Sequence, residues 1–266
     1  MITLYKNEVE LQFKQWKFPG GEIGVQLSDI QPENKYTVHM DYENSDDVFV
    51  FLNVCDALQE QGVVMRNVNG SIPYFPYARQ DRVCNTGESK ALEVFVQILS
   101  KAFCWNFRTK DVHSSVALSL CDNYGITLIN EPQEDCAVDL PKFDVLIAPD
   151  KGAENKAAMH KQYMFGTSEL MCLSKTRIGS KVVYVDYAYD TIKGSVCVVD
   201  DLADGANTFV VLGEMLKRTQ PNITSLNLYV THGLFSKGTN ELKKFYDRIY
   251  VHNLMNKSVL DSVVVI

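Results

Sequence analysis

Asp200, Asp201 and Asp204 precede Gly205, Ala206, Asn207 and Thr208 within the stretch SVCVVDDLADGANTF, Ser195 to Phe209. The apolar run Val196 to Val199 is too short for a stable helix and rich in β-branched residues, so it reads as a buried strand with the acids following at its carboxyl end. Val210, Val211, Leu212, Met215 and Leu216 then recur at helical spacing. A strand, a short polar loop and a helix form the anion seat of open α/β sheets, where loop N–H groups and a helix N-terminus face the ligand. Carboxylates there would repel a bare anion, but they accept hydrogen bonds from ribose hydroxyls and they hold Mg²⁺. A sugar phosphate meets both conditions. The competing reading is that Asp200 and Asp201 cap the turn and the following helix.

A second chemical cluster is PYFPYARQDR, Pro73 to Arg82. Prolines and aromatics stiffen the chain just before Arg79, Gln80, Asp81 and Arg82, and guanidinium groups give the planar, charge-assisted hydrogen bonds that suit a polyphosphate. A surface loop with a self-paired Arg–Asp cluster is the alternative. Asp111 and His113 alternate on what reads as an extended segment, which would put them on one face and let the acid orient the imidazole. Asp150 follows a second buried strand, Val145 to Ala148, and precedes a helix-like stretch through Lys161. Phe18-Pro19-Gly20-Gly21-Glu22 reads as a turn. Lys175 and Arg177 by themselves read as solvated cations.

The elements that must hold these groups are legible as alternation. Apolar strand-like runs exchange with helix-like ones, such as Val48, Phe51, Leu52, Cys55 and Leu58 ending near Gln61-Gly62, or Val94, Phe95, Ile98, Leu99 and Phe103 after Glu88. That order predicts an α/β chain with mainly parallel sheets flanked by helices. With 266 residues, 46% hydrophobic and 22% charged, the chain fits one or two domains with a sizeable core. A net charge of −7 and a pI of about 5.3 argue against a general binder of nucleic-acid backbones. The seven cysteines form no CxxC pair, which disfavours a disulfide framework or a structural zinc site. The start lacks the order of a signal peptide and no apolar run is long enough for a bilayer, so no membrane partner and a cytoplasmic location are expected.

Taken together these motifs resemble the ribose-phosphate pyrophosphokinases (PRPP synthetases), in family order from Phe18 to Ser236. PYFPYARQDR is a near-complete match to the family's PYxxYARQDR block. Asp200, Asp201, Asp204 and Thr208 match its ribose-binding loop, shared with type I phosphoribosyltransferases, while Gly205 and Asn207 depart from the usual Thr and Gly. Asp111-Val112-His113 is similar to the DLH or DMH whose His contacts Mg²⁺ on ATP, and Asp150 to the acid of PDxGG. Lys175 and Arg177 match a mobile KxR loop, and His232 stands in a THxxxS-like loop. Phe18 and Glu22 match an adenine-stacking loop in which Gly20 replaces an acid. Val83 and Gly87 stand where the family carries basic residues.

The resemblance implies two tandem phosphoribosyltransferase type I-like domains, 1–130 on the ATP side and 131–266 on the ribose phosphate side. It implies Mg²⁺-dependent transfer of pyrophosphate from ATP to the anomeric hydroxyl of ribose 5-phosphate, giving PRPP and AMP. Phe18, Glu22, Arg79, Gln80, Asp81 and Arg82 would bind ATP. The loop Asp200, Asp201 and Asp204 to Thr208 would bind the sugar phosphate, His113, Asp150 and Asp111 the metal, and Lys175, Arg177 and His113 would be catalytic. Family members complete each other's sites through the Phe18 loop, so a homo-oligomer is expected. The strand and helix that precede that loop in the family look reduced here. Some viral relatives act on ADP-ribose to rebuild NAD, in host cytoplasm, and the altered DGANT loop is compatible with that acceptor. A phosphoribosyltransferase that consumes PRPP and a non-catalytic regulatory homologue are the remaining alternatives.

Overall fold

The structure is a computed structural model that describes residues 1–102, 106–160, 169–173, 175–178, 181–184 and 191–266, with the side chains of 160, 175–178 and 181–184 outside the description. The chain divides into two compact units, Met1–Glu131 and Pro132–Ile266. Each has a six-stranded sheet.

In the first unit, strands β1 (Ile2–Lys6) and β2 (Val9–Leu11) form an antiparallel edge, and β3 (Lys14–Lys17) and β4 (Ile23–Gln26) a separate hairpin. β5 (Tyr36–Met40), β6 (Val68–Ser71), β7 (Asn106–Lys110) and β8 (Thr127–Glu131) run parallel in that spatial order, with β1 antiparallel against β5. Helices α1 (Ser45–Glu60), α2 (Ala91–Leu99) and α3 (Val116–Asn123) accompany them. α1 starts on a capping box in which Asn44 Oδ1 accepts from the Asp46 N–H at 2.9 Å and Asp47 Oδ2 accepts from the Asn44 N–H at 3.1 Å. Its stripe of Val48, Phe51, Val54, Cys55 and Leu58 is buried in the unit's core. Each such side chain contributes about 1.5–3 kcal/mol by leaving water. Strands β1, β2 and β3 precede Phe18, and among the described residues no helix does.

The second unit opens with the short helix α4 (Gln133–Cys136) and holds β9 (Val145–Ala148), α5 (Lys151–His160), β10 (Glu169–Cys172), the hairpin β11 (Lys175–Ile178) and β12 (Lys181–Tyr184), β13 (Gly194–Ala203), α6 (Asn207–Thr219), β14 (Ile223–Gly233), β15 (Arg248–Leu254) and β16 (Val264–Val265). Its main sheet, ordered β10-β9-β13-β14-β15-β16, is parallel throughout. Parallel strands are covered on both faces, which is why Val145 to Ala148 and Val196 to Val199 are apolar without interruption. Val145, Ile147, Val196 and Val198 pack with Phe209, Leu212, Met215 and Leu216 of α6. Leu146, Cys197 and Val199 pack with Ala137, Leu140 and Phe143 on the opposite face, and Ala148 packs with Ala153 and Ala157 of α5.

Two boundaries differ from the sequence reading. β13 does not stop before the acids but runs through Asp200 and Asp201 to Ala203, because the ladder continues with Asp200 opposite Val230, Leu202 opposite His232 and Ala203 opposite Gly233. α6 starts at Asn207, ahead of its apolar run. Among the described residues no helix is long and apolar enough to cross a membrane.

Candidate functional site

In open α/β sheets ligands bind beyond the carboxyl ends of the strands, where the strand order reverses direction. In the second unit that point lies between β9 and β13, since β9 is followed by α5 toward β10 and β13 by α6 toward β14. Asp150 lies two residues beyond the first strand and Asp200 and Asp201 near the end of the second, so the topology brings these acids together. Their charges register one another. Burial, then the carboxylate of Asp201, raises the Asp200 carboxyl well above its ordinary range, and Asp150 adds to the rise. Asp201 is buried, 5% exposed, and its Oδ2 lies 3.6 Å from the ammonium of Lys156 on α5.

The competing reading of Asp200 and Asp201 as caps of the following helix is not what the helix start shows, and a different acid, Asp150, does act as a cap. α6 has Ala206 as its N-cap, which makes no side-chain hydrogen bond, so neither Asp200 nor Asp201 is its N-cap residue. Asp150 does cap a helix: its Oδ1 accepts from the N–H groups of Gly152 at 2.8 Å and Ala153 at 3.2 Å at the start of α5. Asp204 and Gly205 occupy the turn between β13 and α6. A Cβ on Gly205 would meet Lys237 Cε at 3.7 Å and Cδ at 3.8 Å, so the space opened there is already bordered by a lysine stem.

In the first unit the segments carrying Arg79–Arg82 and Asp111–His113 leave the carboxyl ends of the neighbouring parallel strands β6 and β7. Ladder contacts continue past the strands, with the Ile72 N–H donating to Arg108 O at 2.8 Å and the Lys110 N–H to Pro73 O at 3.0 Å. The two segments are then joined by Ser114 Oγ donating to Asp81 Oδ2 at 2.7 Å. The aromatic block has an anchoring role: Phe75 is buried against Phe95 of α2, ring centroids 5.3 Å apart, while Arg79, Gln80 and Arg82 are exposed. Phe18 and Glu22 close the β3–β4 hairpin, where the Phe18 N–H donates to Glu22 O at 2.8 Å and Gly21 takes a φ of 96°. Phe18 is 48% exposed and meets the edge of Trp16.

Asp111 and His113 do not share an extended face. The chain turns at Asp111, whose φ is 37°, leaving Asp111 buried at 2% and His113 exposed. Among the described residues seven non-glycine positions have positive φ, and Tyr77, Asp111, Ala206 and Phe235 among them fall inside the candidate segments. Such conformations cost of order 1–3 kcal/mol each and persist where surrounding structure holds them.

Lys175 and Arg177 sit at alternate positions of β11, and their side chains lie outside the described ones. Two residues escaped the sequence reading. Lys156 has no local motif and is recognisable only by its distance to Asp201. Gln133, 1% exposed, donates through Nε2 to Asp200 O at 2.6 Å and Thr231 Oγ1 at 3.1 Å, tying β13 and β14 together beside the acids.

Among the described residues no group of three or more His, Cys, Asp or Glu side chains is placed to hold a metal ion. Mg²⁺ commonly takes only one or two carboxylates together with substrate phosphates. The negative charge concentrated at Asp150, Asp200 and Asp201 fits that kind of binding.

No protein-family model matches the chain. It is 27% identical over 246 residues to a ribose-phosphate pyrophosphokinase of Pyrococcus furiosus, covering 89% of this chain and 84% of that one. It is 26% identical over 258 residues to the ribose-phosphate pyrophosphokinase of Thermococcus kodakarensis, covering 92% and 85%. The crystal structure of phosphoribosylpyrophosphate synthetase from Mycobacterium smegmatis superposes with a TM-score of 0.78 at 19% identity, over 98% of this chain and 87% of that one. Sequence similarity along nearly the whole chain and a shared fold lead to one conclusion: this protein is a homologue of the ribose-phosphate pyrophosphokinases, built on the PRPP synthetase fold of parallel sheets flanked by helices.

Proposed function

We propose that the protein transfers a pyrophosphoryl group from ATP to the anomeric hydroxyl of ribose 5-phosphate, releasing AMP and forming PRPP. The observation that carries this reading is the acid pair at the strand-order reversal of the second unit, followed by a helix whose N-cap is Ala206, in a chain similar to ribose-phosphate pyrophosphokinases over most of its length. Asp200 and Asp201 would accept the ribose hydroxyls, and the loop Asp204 to Thr208 with the α6 N-terminus would seat the phosphate. Arg79, Gln80 and Arg82 would seat the ATP phosphates, steadied by the Asp81–Ser114 bond, and Phe18 and Glu22 would take the base. Lys175 and Arg177 would stabilise charge spreading over the transferred group.

His113 and Asp150 would each contact a Mg²⁺, which when bound supplies positive charge against the phosphate oxygens, whereas Asp111 is buried at its turn and is not placed beside His113 to share that role. The chain's own contribution is placement and charge neutralisation, which phosphoryl transfer needs more than covalent help. Two variants separate the roles of Asp150. Asp150→Asn keeps the helix cap and loses the charge, so thermal unfolding is expected to be unchanged while AMP release collapses. Asp150→Ala loses both and is also destabilised by about 1 kcal/mol. Full activity in the Asn variant would assign Asp150 to the cap alone.

The acceptor has two candidates. Gly205 lacks the hydroxyl that would serve a terminal phosphate dianion, and the neighbouring Lys237 stem offers a cation that suits the pyrophosphate of ADP-ribose as well. Incubation with Mg-ATP and either sugar, followed by chromatography for AMP, decides the matter. AMP with ribose 5-phosphate alone supports PRPP synthesis, AMP with ADP-ribose alone reassigns the acceptor, and AMP with neither overturns the enzyme reading. A homo-oligomer is proposed on the same basis, and light scattering of the purified chain checks it.

A further inference from the structure

Lys156 stands on α5 with its Nζ 3.6 Å from Asp201 Oδ2, and the two side chains are only 26% and 8% exposed. The pair Lys17 with Asp46, by contrast, lies in solvent at 57% and 59% exposure, where such pairs are worth little. A withdrawn pair differs in kind, because removing one partner leaves the other charge uncompensated. Asp201 has a second carboxylate beside it, and its own N–H donates to Asp200 Oδ1 at 2.9 Å. Lys156 therefore sets a cation on one side of the paired acids, of which Asp201 is buried. At 3.6 Å the contact is an ion pair longer than a normal hydrogen bond.

We propose that Lys156 is a positioning residue for the acceptor sugar: it holds the Asp201 carboxylate oriented so that it can receive the ribose hydroxyls. This rests on the reading of Asp200 and Asp201 as the sugar-binding acids. Lys156 touches neither ATP nor the transferred group in this scheme, so its loss should be felt on one substrate only.

The test compares wild type, Lys156→Met and Lys156→Arg as full chains. AMP release gives KM for the sugar and for ATP separately, and calorimetry with ribose 5-phosphate or ADP-ribose in Mg²⁺ gives binding without turnover. In Lys156→Met the sugar KM and Kd should rise roughly 10- to 100-fold, the range seen when a supporting partner of a ligand is removed. The ATP KM should stay put, and Lys156→Arg should restore most of the loss. If the Met variant does not fold, Lys156→Gln makes the same comparison. An unchanged sugar KM, with or without a lower Tm, would overturn the inference, as would equal rises in both KM values or an Arg variant as impaired as Met. A wild-type chain that neither binds nor uses either sugar would instead overturn the sugar-site reading, and this inference with it.

Discussion

Arg177→Ala is expected to lower kcat by about 10³-fold or more, the scale associated with an arginine that stabilises a transferring phosphoryl group. Lys175→Ala should lower it by orders of magnitude as well. The transition state of such a transfer spreads negative charge over peripheral oxygens, and a fixed cation meets that charge only once it has developed. Loss of the cation should therefore appear in kcat, with the ATP KM moving much less. Lys175 and Arg177 occupy alternate positions of β11, opposite Tyr184 and Val182 in the hairpin, so the backbone gives them equivalent placement. Their effects should be non-additive, with the double variant little worse than Arg177→Ala. Steady-state AMP release on the three variants checks this, and undiminished turnover in both single variants would remove these residues from the mechanism.

Asp200→Asn should make the protein more stable and nearly inactive. Burial and the carboxylates of Asp201 and Asp150 raise the Asp200 carboxyl well above its ordinary range. A carboxyl raised on folding binds more protons in the folded chain than in the unfolded one between the two pKa values, so stability falls as pH climbs through that window. At pH 7.5 the ionised group costs stability, and the cost disappears below about pH 4, where the unfolded chain is protonated too. Asparagine keeps an oxygen to accept the Asp201 N–H, now made at 2.9 Å, and carries no charge. Tm at pH 7.5 should rise by roughly 2–4 °C for each kcal/mol relieved, with the gap to wild type closing toward pH 4. Sugar affinity should fall about 10- to 150-fold, for the loss of roughly 1.5–3 kcal/mol of charge-assisted hydrogen bonding. A variant less stable than wild type at pH 7.5 would show that the site already compensates the charge.

Much of the fold was legible because local pattern and tertiary environment agree. The stripe in α1 and the unbroken apolar runs of β9 and β13 correspond to surfaces buried on one side and on both. The glycines after Phe18 likewise marked a real hairpin turn. What failed depended on distant partners. Asp200 to Ala203 look like loop from composition, yet β14 extends the ladder beneath them. Gly233 makes that end possible, since a Cβ there would stand 2.4 Å from Phe235 Cε2 and 2.7 Å from Val251 Cγ2. Asp111 and His113 suggested alternation, but a left-handed residue at the end of β7 sends their side chains to different environments. Lys156 is far from Asp201 in the chain, and no spacing rule links a helix lysine to an acid on a strand packed beside it.

The continuation of β13 through its acids has one more consequence. A carboxylate carried on a mobile loop must be immobilised each time a sugar is captured, and that lost freedom subtracts from affinity. Here the backbone beneath Asp200 and Asp201 is already fixed by pairing to β14, so its ordering is settled during folding. In the proposed sugar site, recognition of the pentose ring should then be fast and stereochemically strict, with epimers at the ring hydroxyls rejected by geometry instead of accommodated by rearrangement.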